Sequence, residues 1–232
     1  MTGAARGIGL GIAQQLVAAG ARVVATDRDF DALQRAFPAR DAELLELDVA
    51  GDSEALAPAV LDRFGAPELI VNNVGITTGH GFLELSEADF DTVHRTNLRG
   101  PWFLTRGLID SLVRTRTRGN VVFVSSLHDH RIRGNPHYSA SKAAIAMLVR
   151  ELAYELAPNG IRVNAVSPGW VAREGEKIDK RARGVIPLGR AGTPADVAHM
   201  AMVLLSDDLS SYVTGANIPV DGGLALHSWL SK

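Results

Sequence analysis

The sequence predicts an α/β fold: a doubly wound, Rossmann-like parallel sheet with helices on both faces, as a single domain over residues 1–232. Short β-branched apolar runs alternate along the chain with longer stretches of helical periodicity, as parallel strands joined by crossover helices require. A glycine-rich turn opens directly into the first helical stretch. The turn clusters, such as Pro158-Asn-Gly160 and Ser167-Pro-Gly169, punctuate elements and do not link domains.

In chain order, a helix is predicted over 8–19 and a strand over 21–26, then a strand over 43–49 and a helix over 52–64. A buried strand follows over 69–72, and apolar residues at three- and four-residue spacings predict one long helix over 87–114. A strand over 120–125, a helix over 138–157 and a strand over 161–167 complete the alternation.

Net charge of −2 with 22% charged residues gives no electrostatic reason to expect nucleic acid or an acidic membrane surface as a partner, so small molecules and further copies of the chain remain. The absence of cysteine excludes disulfides, thiolate catalysis and cysteine-ligated metal. No basic region followed by an apolar stretch suggests export and no apolar run suits a membrane span, so the expected location is cytoplasmic. The basic run Arg114-Thr-Arg-Thr-Arg118 reads as a solvated turn and is assigned no function.

Thr2-Gly-Ala-Ala-Arg-Gly-Ile-Gly9 would aim unpaired backbone N–H groups and the positive end of a helix at a pyrophosphate. Packing of a turn on a helix also selects glycine, so the context after it matters. Asp27 follows the next strand, at an offset where a carboxylate accepts hydrogen bonds from an adenosine ribose and repels a 2′-phosphate. Arg6 and Arg28 pull the other way, since either guanidinium could pair with that phosphate. NAD is favoured over NADP. The bland alternative for Asp27 is a strand-end cap or turn residue.

Tyr138 and Lys142 stand four apart on one helix face, within mutual reach. A tyrosine titrates near ~10, and a neighbouring ammonium favours its phenolate, making it a usable acid or base. His128-Asp-His130 could suggest metal, but alternate residues on a strand diverge and no further ligands cluster with them; no metal is expected, and His128 is read as lining a substrate cleft.

Together, Thr2-Gly-Ala-Ala-Arg-Gly-Ile-Gly9, Asn72-Asn-Val-Gly75, Asn97, Ser125-Ser126, Tyr138-Ser-Ala-Ser-Lys142 and Pro168-Gly169 occur in an order that resembles the short-chain dehydrogenase/reductase family. The resemblance runs from Thr2 to Val220-Asp-Gly-Gly223. It implies that Tyr138 exchanges the alcohol proton, that Lys142 also holds the nicotinamide ribose, and that Ser126 orients the substrate oxygen, with Ser125 as the fallback. The segment from Ser126 to Tyr138 is one residue shorter than the usual spacing, which leaves the choice of serine open. Asn97 would hold a water in a proton relay behind the lysine; the alternative is an amide satisfying backbone groups at a helix irregularity. The cofactor contacts implied are Gly3, Arg6, Gly7, Ile8, Gly9, Asp27, Asp48, Val49, Asn73, Gly75, Tyr138, Lys142, Pro168, Gly169 and Val171. Val74 departs mildly from the family pattern, and the alternative for Asp48 is a helix N-terminal cap nearby.

Two departures are larger. The family places an apolar strand before its glycine motif, and here only Met1 precedes Thr2, so the first strand is missing or replaced. Its absence would leave unpaired backbone on both neighbours and a gap in the core, and would displace or disorder the glycine loop. Met1 stands where the family often has valine, so one expectation is a GUG codon read as a start, with an apolar strand encoded upstream in frame. Arg173 stands where the family has a nicotinamide-contacting threonine, and the segment from there to Pro187 is short for a substrate lid.

The expected activity is hydride transfer between NAD(H) and a small secondary alcohol or ketone, sugars and polyols included. The alternatives are a carrier-bound 3-ketoacyl reductase and a dinucleotide-binding subunit without turnover. A methyltransferase ranks third, having no use for the Tyr–Lys pair. The helical run 139–157 and the segment 195–205 resemble family surfaces that pair identical subunits, which implies a homotetramer, then a homodimer; their apolar stripes could equally be core.

Overall fold

A computed structural model describes residues 1–39, 41–132, 134–172 and 184–226. Its strands are β1 (Val24–Asp27), β2 (Glu43–Glu46), β3 (Leu69–Asn72), β4 (Gly119–Val124), β5 (Ile161–Pro168) and β6 (Asn217–Val220). The principal helices are α1 (Gly7–Ala18), α2 (Phe30–Ala36), α3 (Ser53–Phe64), α4 (Glu87–His94), α5 (Gly100–Thr115), α6 (Pro136–Leu156), α7 (Pro194–Leu205) and the short α8 (Asp207–Ser210).

All ladders are parallel, and they form two sheets: β1-β2, and β3-β4-β5-β6. Alternation along the strands divides the core. Ile70, Val121, Phe123, Val163 and Ala165 pack with α3, α5 and α6, whereas Val71, Val122, Val124 and Val166 pack with α1 and α7. This is the two-faced, Rossmann-like architecture the sequence predicts.

Residues 1 and 2 join the sheets. Thr26 N donates to Met1 O at 2.9 Å, and Thr2 N donates to Val71 O at 3.0 Å. Thr2 thereby links β1 and β3, in a parallel bridge with Thr26 and a single backbone bond to β3. Beyond this bridge β1 and β3 part around a slot of about 530 Å³, lined among others by Leu16, Val24, Val60, Phe64, Leu69 and Leu104. Residues 21–23, predicted as strand, precede the ladder with β2, which begins at Val24 opposite Glu43.

Other elements depart from expectation for local reasons. The predicted long helix is α4 and α5 joined by a π-helical turn, Arg95–Arg99. The strand predicted over 43–49 stops at Glu46, where the β1 ladder ends. The short helix α2 and the edge strand β6 were not foreseen; β6 is four residues long and contains Pro219, which an edge strand tolerates.

Candidate active site

The glycine loop is seated, contrary to the expectation that it would be displaced. Ala4 N donates to Thr26 O at 3.0 Å, and the Asn73 amide donates to Thr2 O and Gly3 O at 3.3 and 3.0 Å. The fold closes over these two residues and an amide side chain, so the loop keeps its place beside a gap in the sheet. Gly9 is required by contact: a Cβ there would lie 1.9 Å from Gly3 O. Helices α2, α3, α4 and α7 are capped by the side chains of Asp29, Asp52, Ser86 and Thr193, whereas α1 has Arg6 at its N-cap and no side-chain cap. Its first-turn N–H groups therefore suit an anionic group, the fit a pyrophosphate needs.

A cleft of about 580 Å³ begins at this loop. Gly3, Arg6, Ile8, Asp27, Asp48, Val49 and Asn73 line it from one end, and Gly75, Tyr138, Lys142, Pro168, Gly169 and Val171 from the other. Gly7, Gly9 and Asn97 are not among its lining residues; the glycines shape the turn, and Asn97 lies behind. Asp27 accepts from Ala5 N and Asp29 N, both at 3.1 Å, so the turn role weighed for it is real although it also faces the cleft. Asp48 accepts from Ala50 N at 2.9 Å and likewise closes its own turn; the cap of α3 is Asp52. Arg6 is paired with Asp29 at 3.2 Å, which occupies one of the two guanidiniums expected to compete for a phosphate.

At the other end, α6 presents Tyr138 and Lys142 one turn apart. Lys142 is buried, its Nζ donates to Val124 O at 3.0 Å and lies 5.7 Å from the Tyr138 ring centre. A Cβ on Gly75 would sit 3.0 Å from that ammonium, so glycine lets the β3 loop close over it. Burial lowers Lys142 to about 8. Tyr138 behaves opposite to the sequence expectation: burial raises it above 10, a hydrogen bond with Ser126 lowers it less, and the Asp129 charge raises it again. Desolvation of the phenolate is the largest cause, because the ring is set into the wall of the cleft.

Both serines line the cleft, but they are engaged differently: Ser125 is buried and donates to Asp129 Oδ2 at 3.0 Å, whereas Ser126 is only half-buried and its hydroxyl acts on Tyr138. The His128 ring meets Tyr138 edge-on at 5.0 Å and contacts Ser139 Oγ at 3.1 Å. Among the described residues no three His, Asp or Glu gather as a metal site.

Asn97 sits in the π-helical turn, 1% exposed. Its amide donates to Ile76 O at 2.9 Å and Ser141 Oγ at 3.1 Å, and its oxygen accepts from Ile76 N at 2.8 Å. The side chain thus does what the alternative reading assigned it: it satisfies backbone at a helix irregularity, tying the β3 loop to α6. Sequence reasoning missed the polar knot around Asp129, whose partners come from three strands, and the Leu47, Ile76 and Thr96 lining, which has no motif. Arg173 lies outside the described residues, as does most of the segment leading to Pro187.

A parallel sheet with a glycine cradle at one end of a cleft and a Ser–Tyr–Lys group at the other defines a dinucleotide-binding oxidoreductase. Residues 3–225 match the family described as enoyl-(acyl carrier protein) reductase. An uncharacterized oxidoreductase of Mycobacterium bovis is 38% identical over 235 residues, spanning 96% of this chain and 94% of that one. A 3-oxoacyl-[acyl-carrier-protein] reductase of Thermotoga maritima is 36% identical over 97% of this chain and 96% of its own length. The crystal structure of a short-chain dehydrogenase/reductase family oxidoreductase from Burkholderia thailandensis superposes with a TM-score of 0.90 at 31% identity, covering 98% and 92% of the two chains. The chain belongs to the short-chain dehydrogenase/reductase family and is an oxidoreductase.

Proposed function

We propose that the chain interconverts a small secondary alcohol and a ketone with NAD(H), sugars and polyols falling within that class. The observation that carries this reading is that Ser126, Tyr138 and the buried Lys142, whose Nζ lies 5.7 Å from the tyrosine ring centre, together line the far end of a cleft that starts at Asp27. A bound nicotinamide ring supplies or accepts the hydride at the substrate carbon. Ser126 orients the substrate oxygen, and Tyr138 Oη gives it a proton in reduction and takes one in oxidation. Lys142, kept close by the Val124 carbonyl, offsets negative charge developing on Tyr138. Asn97 acts through position, holding Ile76 and Ser141. Gly3, Arg6, Ile8, Asn73 and the α1 N-terminus are assigned to the pyrophosphate side, Asp48 and Val49 to adenine, and Pro168, Gly169 and Val171 to the nicotinamide side.

NAD is the assigned dinucleotide because Asp27 faces the adenosine end of the cleft while Arg6 is held by Asp29. Titration calorimetry with NAD⁺ and NADP⁺ checks this; tighter NADP⁺ binding would overturn the assignment. A second reading, reduction of a carrier-bound 3-oxoacyl group, is favoured by the name of the Thermotoga relative. NADH oxidation with short ketones, ketoses and a 3-oxoacyl thioester separates the two readings, and binding without turnover of any of them would leave a non-catalytic subunit. Met147 and Tyr154, exposed on α6, support self-association, with a tetramer expected ahead of a dimer by light scattering. The apolar stripe of α7, by contrast, is core packed with α1.

A further inference from the structure

The loop after β4 carries a buried acid that the reaction as described does not use. Asp129 closes the 3₁₀ turn Leu127–Asp129, which Ser126 caps, and its N–H donates to Ser126 O at 3.0 Å. Its side chain is 1% exposed. Oδ2 receives Ser125 Oγ at 3.0 Å, Ser167 Oγ at 2.6 Å and Asn217 Nδ2 at 2.6 Å, while Oδ1 meets the His130 ring. Ser167 Oγ also lies 2.6 Å from Asn217 Oδ1, so its single proton serves one acceptor at a time. The carboxylate therefore ties together the C-terminal ends of β4 and β5 and the first residue of β6. Ser125 continues the connection, its Oγ standing 3.4 Å from the Lys142 carbonyl.

We propose that Asp129 is a positioning residue for the reaction: its buried carboxylate, gathering Ser125, Ser167 and Asn217, fixes the turn that presents Ser126 beside Tyr138 and Lys142. This rests on the roles assigned above to Ser126, Tyr138 and Lys142. A surface carboxylate would be screened; one with its charge inside the protein acts on its neighbours through a low dielectric. The titratable groups around it are His130 on its own loop and Tyr138 and Lys142 from α6, and His128 of the same turn packs edge-on against that tyrosine. The ends of β5 and β6 offer it Ser167 and Asn217, and Asp221 beyond β6 is turned to the N–H groups of Gly223 and Ala225. Burial pushes Lys142 down, and the Asp129 charge pushes it back up; on Tyr138 burial and the Asp129 charge both push up.

The sign of the effect follows. Reduction needs Tyr138 protonated and Lys142 charged, and both conditions fail as pH rises. Removing the Asp129 charge lowers both groups, so the alkaline limb of the reductive pH–rate profile moves to lower pH in Asp129→Asn, by about half a unit to one unit. Ser167→Ala removes a donor but keeps the charge, and is expected to leave the limb in place while changing kcat. A purely structural role would lower activity in both variants with the limb unmoved. Asp129→Ser is the second neutral variant, smaller and with a hydroxyl oxygen that can still accept from Asn217 Nδ2. The phenolate of Tyr138 is also read directly at 295 nm without any substrate, because Tyr154 and Tyr212 are exposed and Tyr138→Phe supplies the blank. That titration separates failure of this proposal from failure of the assigned activity. A limb and a Tyr138 titration that do not move in a folded neutral variant overturn the proposal, and so does loss of folding in both neutral variants.

Discussion

The two sheets of this molecule are built to different standards. In the four-stranded sheet each strand from β3 to β6 is laddered to its neighbours, and its inner strands β4 and β5 are buried at every position. The residues assigned to chemistry stand on the elements that leave its C-terminal edge. The two-stranded sheet that carries Asp27 is joined to it through Met1, Thr2 and the Asn73 amide, with a slot of about 530 Å³ alongside. Chemistry and dinucleotide recognition therefore rest on supports of unequal strength. The weaker support lies under the cofactor end, so loss of cofactor affinity is expected to precede loss of the catalytic geometry.

The largest expected effect isolates the stronger half. Tyr138→Phe should lower kcat by about 10³-fold, with thermal stability and dinucleotide affinity little changed. Steady-state rates, calorimetry and a melt on the same preparation check it; a fall in Tm as large as that of a core deletion would show that the two halves are not separable.

Next comes the slot. Five alternating Val and Ile residues placed before Met1 would lie parallel between β1 and β3, where alternation of the ladders directs the Val24, Leu69 and Val71 backbone. Burial of the inward side chains less the cost of ordering leaves about 3 kcal/mol, equivalent to a rise in Tm of about 6–12 °C for a chain of this size. NAD⁺ affinity should rise with it. An unchanged Tm would mean that the two-residue bridge already gives the weaker half all the support the fold needs.

The same region should show a pH signature. Burial lowers the Met1 ammonium from 8.0 to about 6, and it donates to Val24 O at 3.1 Å. Between pH 6 and 8 the unfolded chain binds more proton at this group than the folded one, so stability increases with pH across that window. The gain is at most about 2 kcal/mol, and N-terminal acetylation should abolish it. Melts at pH 6 and 8, with and without acetylation, read it directly.

The smallest expected effect tests recognition at the end of β1. Asp27→Asn removes the charge and keeps only one of the two oxygens that accept from Ala5 N and Asp29 N, and should weaken NAD⁺ binding about tenfold, near 1.4 kcal/mol, while improving NADP⁺. Unchanged binding of both would assign Asp27 to its turn alone.

Most of the strand and helix pattern was legible in the sequence because buried parallel strands and amphipathic helices each leave a period in the chain. Residues 69–72 are an example, predicted and found as β3. The residues of the glycine loop, Tyr138 and Lys142 were legible for a related reason: their spacing is local and one turn of helix brings the pair together. The break of the predicted long helix at Arg95–Arg99 was not, because a π-helical turn is held by the Asn97 contact with Ile76, distant in sequence.

Sequence alone thus determined the alternating α/β order, the cradle at the start of α1 and the candidate acid–base pair, all encoded within a few residues of one another. The tertiary structure decided that Ser125 turns to Asp129, that burial raises Tyr138, that Arg6 pairs with Asp29, and that Asp129 gathers residues of the β4, β5 and β6 regions. These depend on contacts between segments far apart in the chain and on the dielectric that packing creates. Neither has a period or a spacing from which to be read.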